Sequence, residues 1–132
     1  MEKKILIVQS TYYKEIANGL CNGVTKYIND RKNLSNTVDI IFKILDAPGS
    51  FEIPLLINQN KDLFDGFVAL GCIIRGETYH FEIISNEVTR KIMDLSIEID
   101  KPIGFGILTC ENLAQAMQRS GPHTKNKGSE AA

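Results

Sequence analysis

Cysteine is scarce in this 132-residue chain: only Cys21, Cys72 and Cys110 occur. Their odd number and the lack of any C-x-x-C pair argue against a disulfide framework or a zinc site and for a reducing compartment. An excess of one charge is also missing. Lys+Arg 15 against Asp+Glu 16 leaves a formal net charge of -1, with no basic block and no acidic tail. Nucleic acid and anionic membrane therefore have no electrostatic case as partners. Long apolar runs are absent too. The opening Met1-Glu-Lys-Lys-Ile-Leu-Ile-Val8 is too short in its apolar part for a signal peptide or a membrane span. The chain shows no repeats, low-complexity linkers, metal-ligand cluster or nucleotide fingerprint. A single cytoplasmic domain over residues 1–132 is expected, long enough to bury a core.

What is present alternates between two periodicities. Ile5 to Val8, Val38 to Leu45, Phe67 to Ile74 and Pro102 to Leu108 read as strands with nearly continuous apolar character. Between them, Ile16, Leu20, Val24 and Ile28 line one helix face, and Ile84, Val88, Ile92 and Leu95 line another. Asp46 to Gly49 breaks the pattern as a turn, and Pro54 to about Asn60 forms a short helix with the proline near its first turn. Thr109 suits an N-cap for a helix over Glu111 to Arg119, and Gly121 to Gly128 reads as loop. Strand–helix alternation with apolar strands implies an α/β fold: a four-stranded parallel sheet in a three-layer α/β/α sandwich, with a flavodoxin-like strand order 2-1-3-4.

Each strand end carries a candidate site residue. Gly71-Cys-Ile-Ile-Arg-Gly-Glu-Thr-Tyr-His80 runs from the carboxyl end of a strand to the amino end of a helix, the edge where open α/β sheets bind ligands. There the backbone N–H groups of Gly76, Glu77 and Thr78 suit an anion, and His80 suits proton transfer. Arg75 fits either a phosphate partner or a structural ion pair. Tyr12 and Tyr13, after the first strand, offer either a stacking surface or ordinary packing. Phe51 and Glu52, after Pro48-Gly49, could hold a polar heterocycle; Glu52 could equally serve a helix start. Phe105 reads as core by default, and Arg119 and Lys127 as solvated charges. His123 has no Cys or acidic neighbour in sequence and receives no role.

Together these segments resemble the lumazine synthase family. The matching pieces are Ala47-Pro-Gly-Ser-Phe-Glu-Ile-Pro54, Leu70-Gly-Cys-Ile-Ile-Arg-Gly-Glu-Thr-Tyr-His-Phe81, Phe105-Gly-Ile-Leu-Thr-Cys-Glu-Asn112, then Gln115-Ala116, Arg119 and Asn126-Lys-Gly-Ser-Glu-Ala131. They stand in family order and at family spacing over nearly the whole chain. The resemblance implies a condensation without cofactor or metal. The 5-amino group of 5-amino-6-ribitylamino-uracil attacks the ketone of 3,4-dihydroxy-2-butanone 4-phosphate; an imine forms, phosphate leaves, and ring closure with loss of water gives 6,7-dimethyl-8-ribityllumazine.

The resemblance also implies roles. Tyr12 takes the place of an aromatic that stacks on the pyrimidine. Ser50, Phe51 and Glu52 match the segment holding the pyrimidine and ribityl chain, and Cys72, Ile73 and Ile74 match the wall of the ring pocket. Gly76, Glu77 and Thr78 match the phosphate loop, and His80 the proton-transfer residue. Phe105, Arg119 and Lys127 match residues that reach in from a neighbouring subunit, the arginine gripping phosphate. The family's assembly implies a homopentamer with its site between subunits, in some members a sixty-subunit shell, and a functional link to riboflavin synthase.

Three departures from the family pattern stand out. Tyr13 replaces a usual asparagine. The chain begins directly at the first sheet strand, where many members carry an extra N-terminal strand. It stops at Ser129 to Ala132, where the family continues into a final helix, so part of a subunit interface is expected to be missing. A non-catalytic flavin- or lumazine-binding module is the competing reading, and retention of His80, Arg119 and Lys127 argues against it. A receiver domain would need an acidic cluster after the first strand and an acceptor aspartate after the third; Ser10-Thr11-Tyr12 and Gly71-Cys72-Ile73 supply neither. A flavodoxin-type carrier would need a glycine in the first phosphate loop, which Ser10-Thr-Tyr-Tyr-Lys-Glu15 lacks.

Overall fold

The computed structural model describes residues 2–34, 39–122 and 125–132. Strands β1 (Glu2–Ser10), β2 (Asp39–Ala47), β3 (Gly66–Ile74) and β4 (Ile103–Cys110) alternate with helices α1 (Lys14–Leu34), α2 (Ile53–Gln59), α3 (His80–Glu98), α4 (Leu113–Ser120) and α5 (Lys127–Ala131). A 3-10 turn over Ser50–Glu52 precedes α2. The four strands form one sheet in the order β2-β1-β3-β4, and every pairing is parallel. The expected α/β class and strand order are therefore the observed ones.

Side-chain alternation along the strands divides the core into two layers. Leu6 and Val8 of β1 and Phe67, Ala69 and Ile73 of β3 face Ile53 and Ile57 of α2 and Val88, Ile92 and Leu95 of α3. Ile7, Val68, Leu70 and Cys72 face the other way, onto Ile16, Leu20, Val24 and Ile28 of α1 and Ala116 of α4. Both faces of β3 are covered, and Gly66 to Ile73 are all buried. That explains its unbroken apolar run, since a central parallel strand has no polar face. The helix stripes read from sequence are the buried ones, as a 3.6-residue period requires, except that Ile84 at the start of the α3 stripe is only partly buried.

Two boundaries differ from the sequence expectation. Thr109 does not cap a helix. It continues β4 opposite Ile73, and pairing persists to Ile74 opposite Cys110. The cap of α4 is Asn112, whose side chain accepts from the Gln115 amide at 3.0 Å. Parallel pairing outlasts the local preference because ladder bonds to β3 satisfy backbone groups that a helix start would leave open. The tail expected as loop contains α5, which begins within the Gly121 to Gly128 stretch. Two further expectations, the strand start at Val38 and the unassigned His123, lie outside the described residues.

Tertiary contact holds α5 in place. Asn126 Nδ2 donates to the carbonyls of Gly19 and Ser120, each at 3.0 Å, while its Oδ1 accepts from the Ser129 amide at 3.1 Å and caps the helix. Glycines permit this approach. A Cβ on Gly23 would stand 2.1 Å from Asn126 Oδ1, and one on Gly128 would stand 2.1 Å from the Leu20 carbonyl oxygen. The helical cost of glycine in α1, about 1 kcal/mol relative to alanine, is offset by the packing it allows. Asn126→Ala removes the cap and both donors; it should lower unfolding free energy by about 1–3 kcal/mol in urea titrations.

Candidate active site

Strand order creates a crevice. From β1 the chain moves outward to β2, and from β3 it moves the opposite way to β4. With right-handed crossovers, α1 and α3 must then cover opposite faces, as they do. The carboxyl ends of β1 and β3 are adjacent while their following segments diverge, which is where ligands bind in such sheets.

A cleft of about 490 Å³ lies there, lined by residues after β1 (Ser10, Tyr12, Tyr13), around the 3-10 turn (Gly49 to Glu52), at the end of β3 (Cys72 to Ile74) and on α3 (His80, Ile84). Of the residues assigned from sequence, Tyr12, Ser50, Phe51, Glu52, Cys72, Ile73, Ile74 and His80 are thus brought together. Gly76, Glu77 and Thr78 follow directly, within an exposed stretch from Arg75 to His80. Phe105, Arg119 and Lys127 do not line the cleft. Phe105 packs against the α2/α3 side of the core, Arg119 donates to the Gln115 carbonyl at 2.9 Å, and Lys127 pairs with Glu130 at 3.1 Å.

Local geometry explains how each wall is presented. The Thr11 amide donates to the Ala47 carbonyl at 3.1 Å, tying the turn after β1 to the end of β2. Tyr12 then projects outward at 73% exposure, its ring edge-on to Tyr13 with centroids 4.9 Å apart. On the other side the 3-10 turn points Ser50 inward and leaves Phe51 exposed. Gly71 makes the room: a Cβ there would stand 2.5 Å from Ser50 Oγ. That hydroxyl is buried and has no hydrogen-bond partner among the described residues, a state that ligand hydroxyls or amides would relieve. Glu52 precedes α2 without using its side chain as a cap, so its carboxylate remains free to accept from a ligand.

The β3–α3 turn is held by Arg75. Its amide donates to the Cys110 carbonyl at 2.9 Å. Its guanidinium pairs with Glu111 at 2.8 Å and with Glu82, and lies 4.5 Å from the centroid of the Phe81 ring. Of the two roles open to Arg75 in sequence, the structural ion pair is the one observed. Thr78 Oγ1 accepts from the His80 amide at 3.3 Å, shaping the first turn of α3. At Gly76, no described atom beyond its chain neighbours lies within 4 Å of where a Cβ would be; packing among the described residues does not demand glycine there, whereas close approach of a ligand would.

Sequence reasoning left Ser10, Gly49 and Ile84 without a role in the cleft. For Ile84 the signal was available: it stands one helical turn after His80, so the two share a face. A second cleft of about 490 Å³ lies between α2 and α3 and shares Phe51. Its charged groups are engaged with one another, Arg90 with Glu87 at 2.6 Å and Lys91 with Glu98 at 3.7 Å, and it contains neither histidine nor thiol. The chemistry therefore concentrates in the first cleft. Among the described residues no group of three or more His, Cys, Asp or Glu is placed to hold a metal ion.

The family model described as 6,7-dimethyl-8-ribityllumazine synthase matches residues 2–132. Relatives carrying that same name include a protein of Bartonella tribocorum, 43% identical over 100% of this chain and 86% of its own length. One from Zymomonas mobilis is 41% identical over 98% of this chain and 88% of its own length. One from Kosmotoga olearia is 37% identical over 98% and 81% respectively.

Burial gives the cleft floor a pH signature. The Cys72 thiol is pushed up to about 12 from an ordinary 9.0, first by burial and then by the neighbouring Cys110 thiol. Burial also raises Cys21, Cys110 and Tyr13. Above pH 9 an unfolded chain sheds thiol protons that the folded chain retains. The stability conferred below that pH is then lost as pH climbs from 9.0 toward about 12. The denaturant midpoint should fall over that range, and Cys72→Ala should make the fall shallower.

Proposed function

The chain belongs to the 6,7-dimethyl-8-ribityllumazine synthase family, and on that premise we propose that the cleft between β1 and β3 is where it brings its two substrates together. The protein is an enzyme of the transferase class and performs the lumazine-forming step of riboflavin biosynthesis, condensing 5-amino-6-ribitylamino-uracil with 3,4-dihydroxy-2-butanone 4-phosphate. The observation that carries the site assignment is the convergence of Tyr12, Ser50, Phe51, Glu52, Cys72 to Ile74 and His80 on one cleft, from three strand-end segments that are far apart in sequence.

In this reading Tyr12 stacks on the pyrimidine, Ile73 and Ile74 flank it, and Ser50 and Glu52 accept from its polar edge and ribityl chain. The amine nucleophile belongs to the substrate, so the protein's work is alignment, charge stabilisation and proton movement. Alignment of two reactants in one cleft lowers the barrier by up to about 7–11 kcal/mol in the best cases. The phosphorylated ketone lies with its phosphate on the Gly76–Thr78 amides. His80, exposed at the first position of α3 beside that loop, moves protons during imine formation and phosphate departure. Phosphate leaves as an anion, and fixed donors that meet it stabilise the transition state.

The remaining assigned residues act from an adjacent subunit: Phe105 closes the ring pocket, Lys127 reaches the pyrimidine, and Arg119 grips phosphate. A homopentamer of single-domain subunits in the cytoplasm is the assembly proposed. A ring needs two different, complementary patches on each subunit. Phe51 is exposed at the cleft, Leu55 on α2 and Ile83 on α3, and Leu113 and Met117 are exposed on α4, which supports such a pair of patches. Closure of pentamers into a shell and a link to riboflavin synthase extend the same proposal.

Mixing the protein with both substrates should give lumazine absorbance and phosphate above the protein-free background. Binding of the pyrimidine without turnover would point instead to a non-catalytic binding module. His80→Ala should slow turnover about 10²–10⁴-fold without abolishing it; unchanged turnover removes His80 from the chemistry. Arg119→Ala should raise KM for the phosphorylated ketone most of all, and a normal KM refutes its role. Sedimentation should give a species of five times the 14.7 kDa chain mass.

A further inference from the structure

Tyr12 and Tyr13 are adjacent in sequence but differ in how they are held. Tyr12 is 73% exposed, so its own burial does little to select one rotamer. Tyr13 is half-buried and packs against the α1 side of the core. Its carbonyl accepts from the Ala17 amide at 2.9 Å, which locks its backbone to the first turn of α1. The two rings meet near-perpendicular, with centroids 4.9 Å apart and planes at 75°, a favoured geometry for aromatic quadrupoles. Such a contact occupies one face or one edge of Tyr12 and leaves another face open to the cleft, which both residues line. An asparagine at position 13 supplies no ring for this contact.

We propose that Tyr13 is a positioning residue for the pyrimidine substrate, acting through Tyr12: its ring, anchored in the core, holds the exposed Tyr12 ring in the orientation that stacks on the heterocycle. The proposal rests on the site assignment under Proposed function. Its physical content is pre-organisation. A free tyrosine loses rotamer freedom when a ligand stacks on it, and an edge contact made beforehand removes part of that cost. The benefit falls on binding of the planar amine and not on the bond-making steps. The Tyr13 hydroxyl stays protonated through neutral pH, since burial and the nearby Cys72 and Tyr12 raise it, so no charge is introduced beside the ring.

Steady-state kinetics with each substrate varied, together with calorimetric titration of 5-amino-6-ribitylamino-uracil alone, tests this. Tyr13→Asn should raise KM and Kd for the pyrimidine about threefold to tenfold, leaving kcat and KM for the phosphorylated ketone close to wild type. Tyr13→Phe, which keeps the ring, should match wild type. Tyr12→Ala combined with Tyr13→Asn should be no weaker for the pyrimidine than Tyr12→Ala alone, since the second effect passes through the first. Should Tyr13→Asn unfold, Tyr13→Leu keeps the bulk without the aromatic edge and should show the same shift in KM. Equal damage from Tyr13→Phe and Tyr13→Asn, multiplying effects in the double variant, or an unchanged KM in a folded Tyr13→Asn or Tyr13→Leu protein would each overturn the proposal. Failure of the wild-type chain to bind or turn over the pyrimidine overturns the site assignment, and this proposal falls with it. An active wild type with unaltered Tyr13 variants overturns this proposal alone.

Discussion

Parallel pairing of β1 with β3 is the constraint on which the rest of the structure depends. These two strands lie at the centre of the sheet, with helices covering both faces. Because the chain leaves them in opposite directions, their carboxyl ends are neighbours whose following segments cannot pack on each other. The space between is a consequence of topology and needs no cavity carved into the core. What fills its walls is whatever side chains the three strand-end turns happen to carry, and here those include two tyrosines, two buried serines, a glutamate and a histidine.

Positive charge near that cleft is distributed with some economy. Arg75 stands at the turn one would assign to an anion, yet Glu82, Glu111 and the Phe81 ring hold it. It acts as a clasp between the β3–α3 turn and the end of β4, so the Gly76–Thr78 amides are presented on a braced loop. In the proposed complex a phosphate arriving there would meet backbone dipoles and the start of α3 first. In the proposed assembly the compensating side-chain charge is Arg119 of an adjacent subunit. Chemistry and assembly would then be coupled: a lone subunit has the stacking surface and the amides but lacks the cation that meets the leaving group.

The cleft floor is apolar and low in charge. Cys72 and its neighbour Cys110 behave as small hydrophobic groups whose thiolates are disfavoured. In the proposed complex a neutral floor beneath a neutral heterocycle would avoid a buried charge and would leave recognition to the rim: Glu52 from one side and the tyrosine pair from the other. Ser10 and Ser50 are the buried polar side chains in the cleft's lining, and Ser50, tucked against Gly71, is the one whose hydroxyl lacks a partner among the described residues. In the proposed site its buried hydroxyl would make the wall selective for a ligand that can hydrogen-bond to it, because an apolar ligand would leave it unsatisfied.

Local pattern was sufficient for most of the fold. Apolar runs identified the four strands, four-residue spacing identified the buried faces of α1 and α3, and motif order placed His80 and Gly76 to Thr78 at the sheet's binding edge. These features are written in short windows, where side-chain period and turn chemistry act directly on the backbone. The tertiary structure decided the rest. It extended β4 through Thr109 because β3 supplied ladder partners, and it built α5 because Asn126 reaches Gly19 across 107 residues. It also seated Ser50 in the space left by Gly71, selected the structural ion pair from the two roles open to Arg75, and set Tyr13 edge-on to Tyr12. Apart from that last pair and the Arg75–Glu82 pairing, such contacts join residues far apart in sequence, whose separation in space no local window contains; even for the adjacent tyrosines, the packing of α1 on the sheet holds one ring and leaves the other exposed.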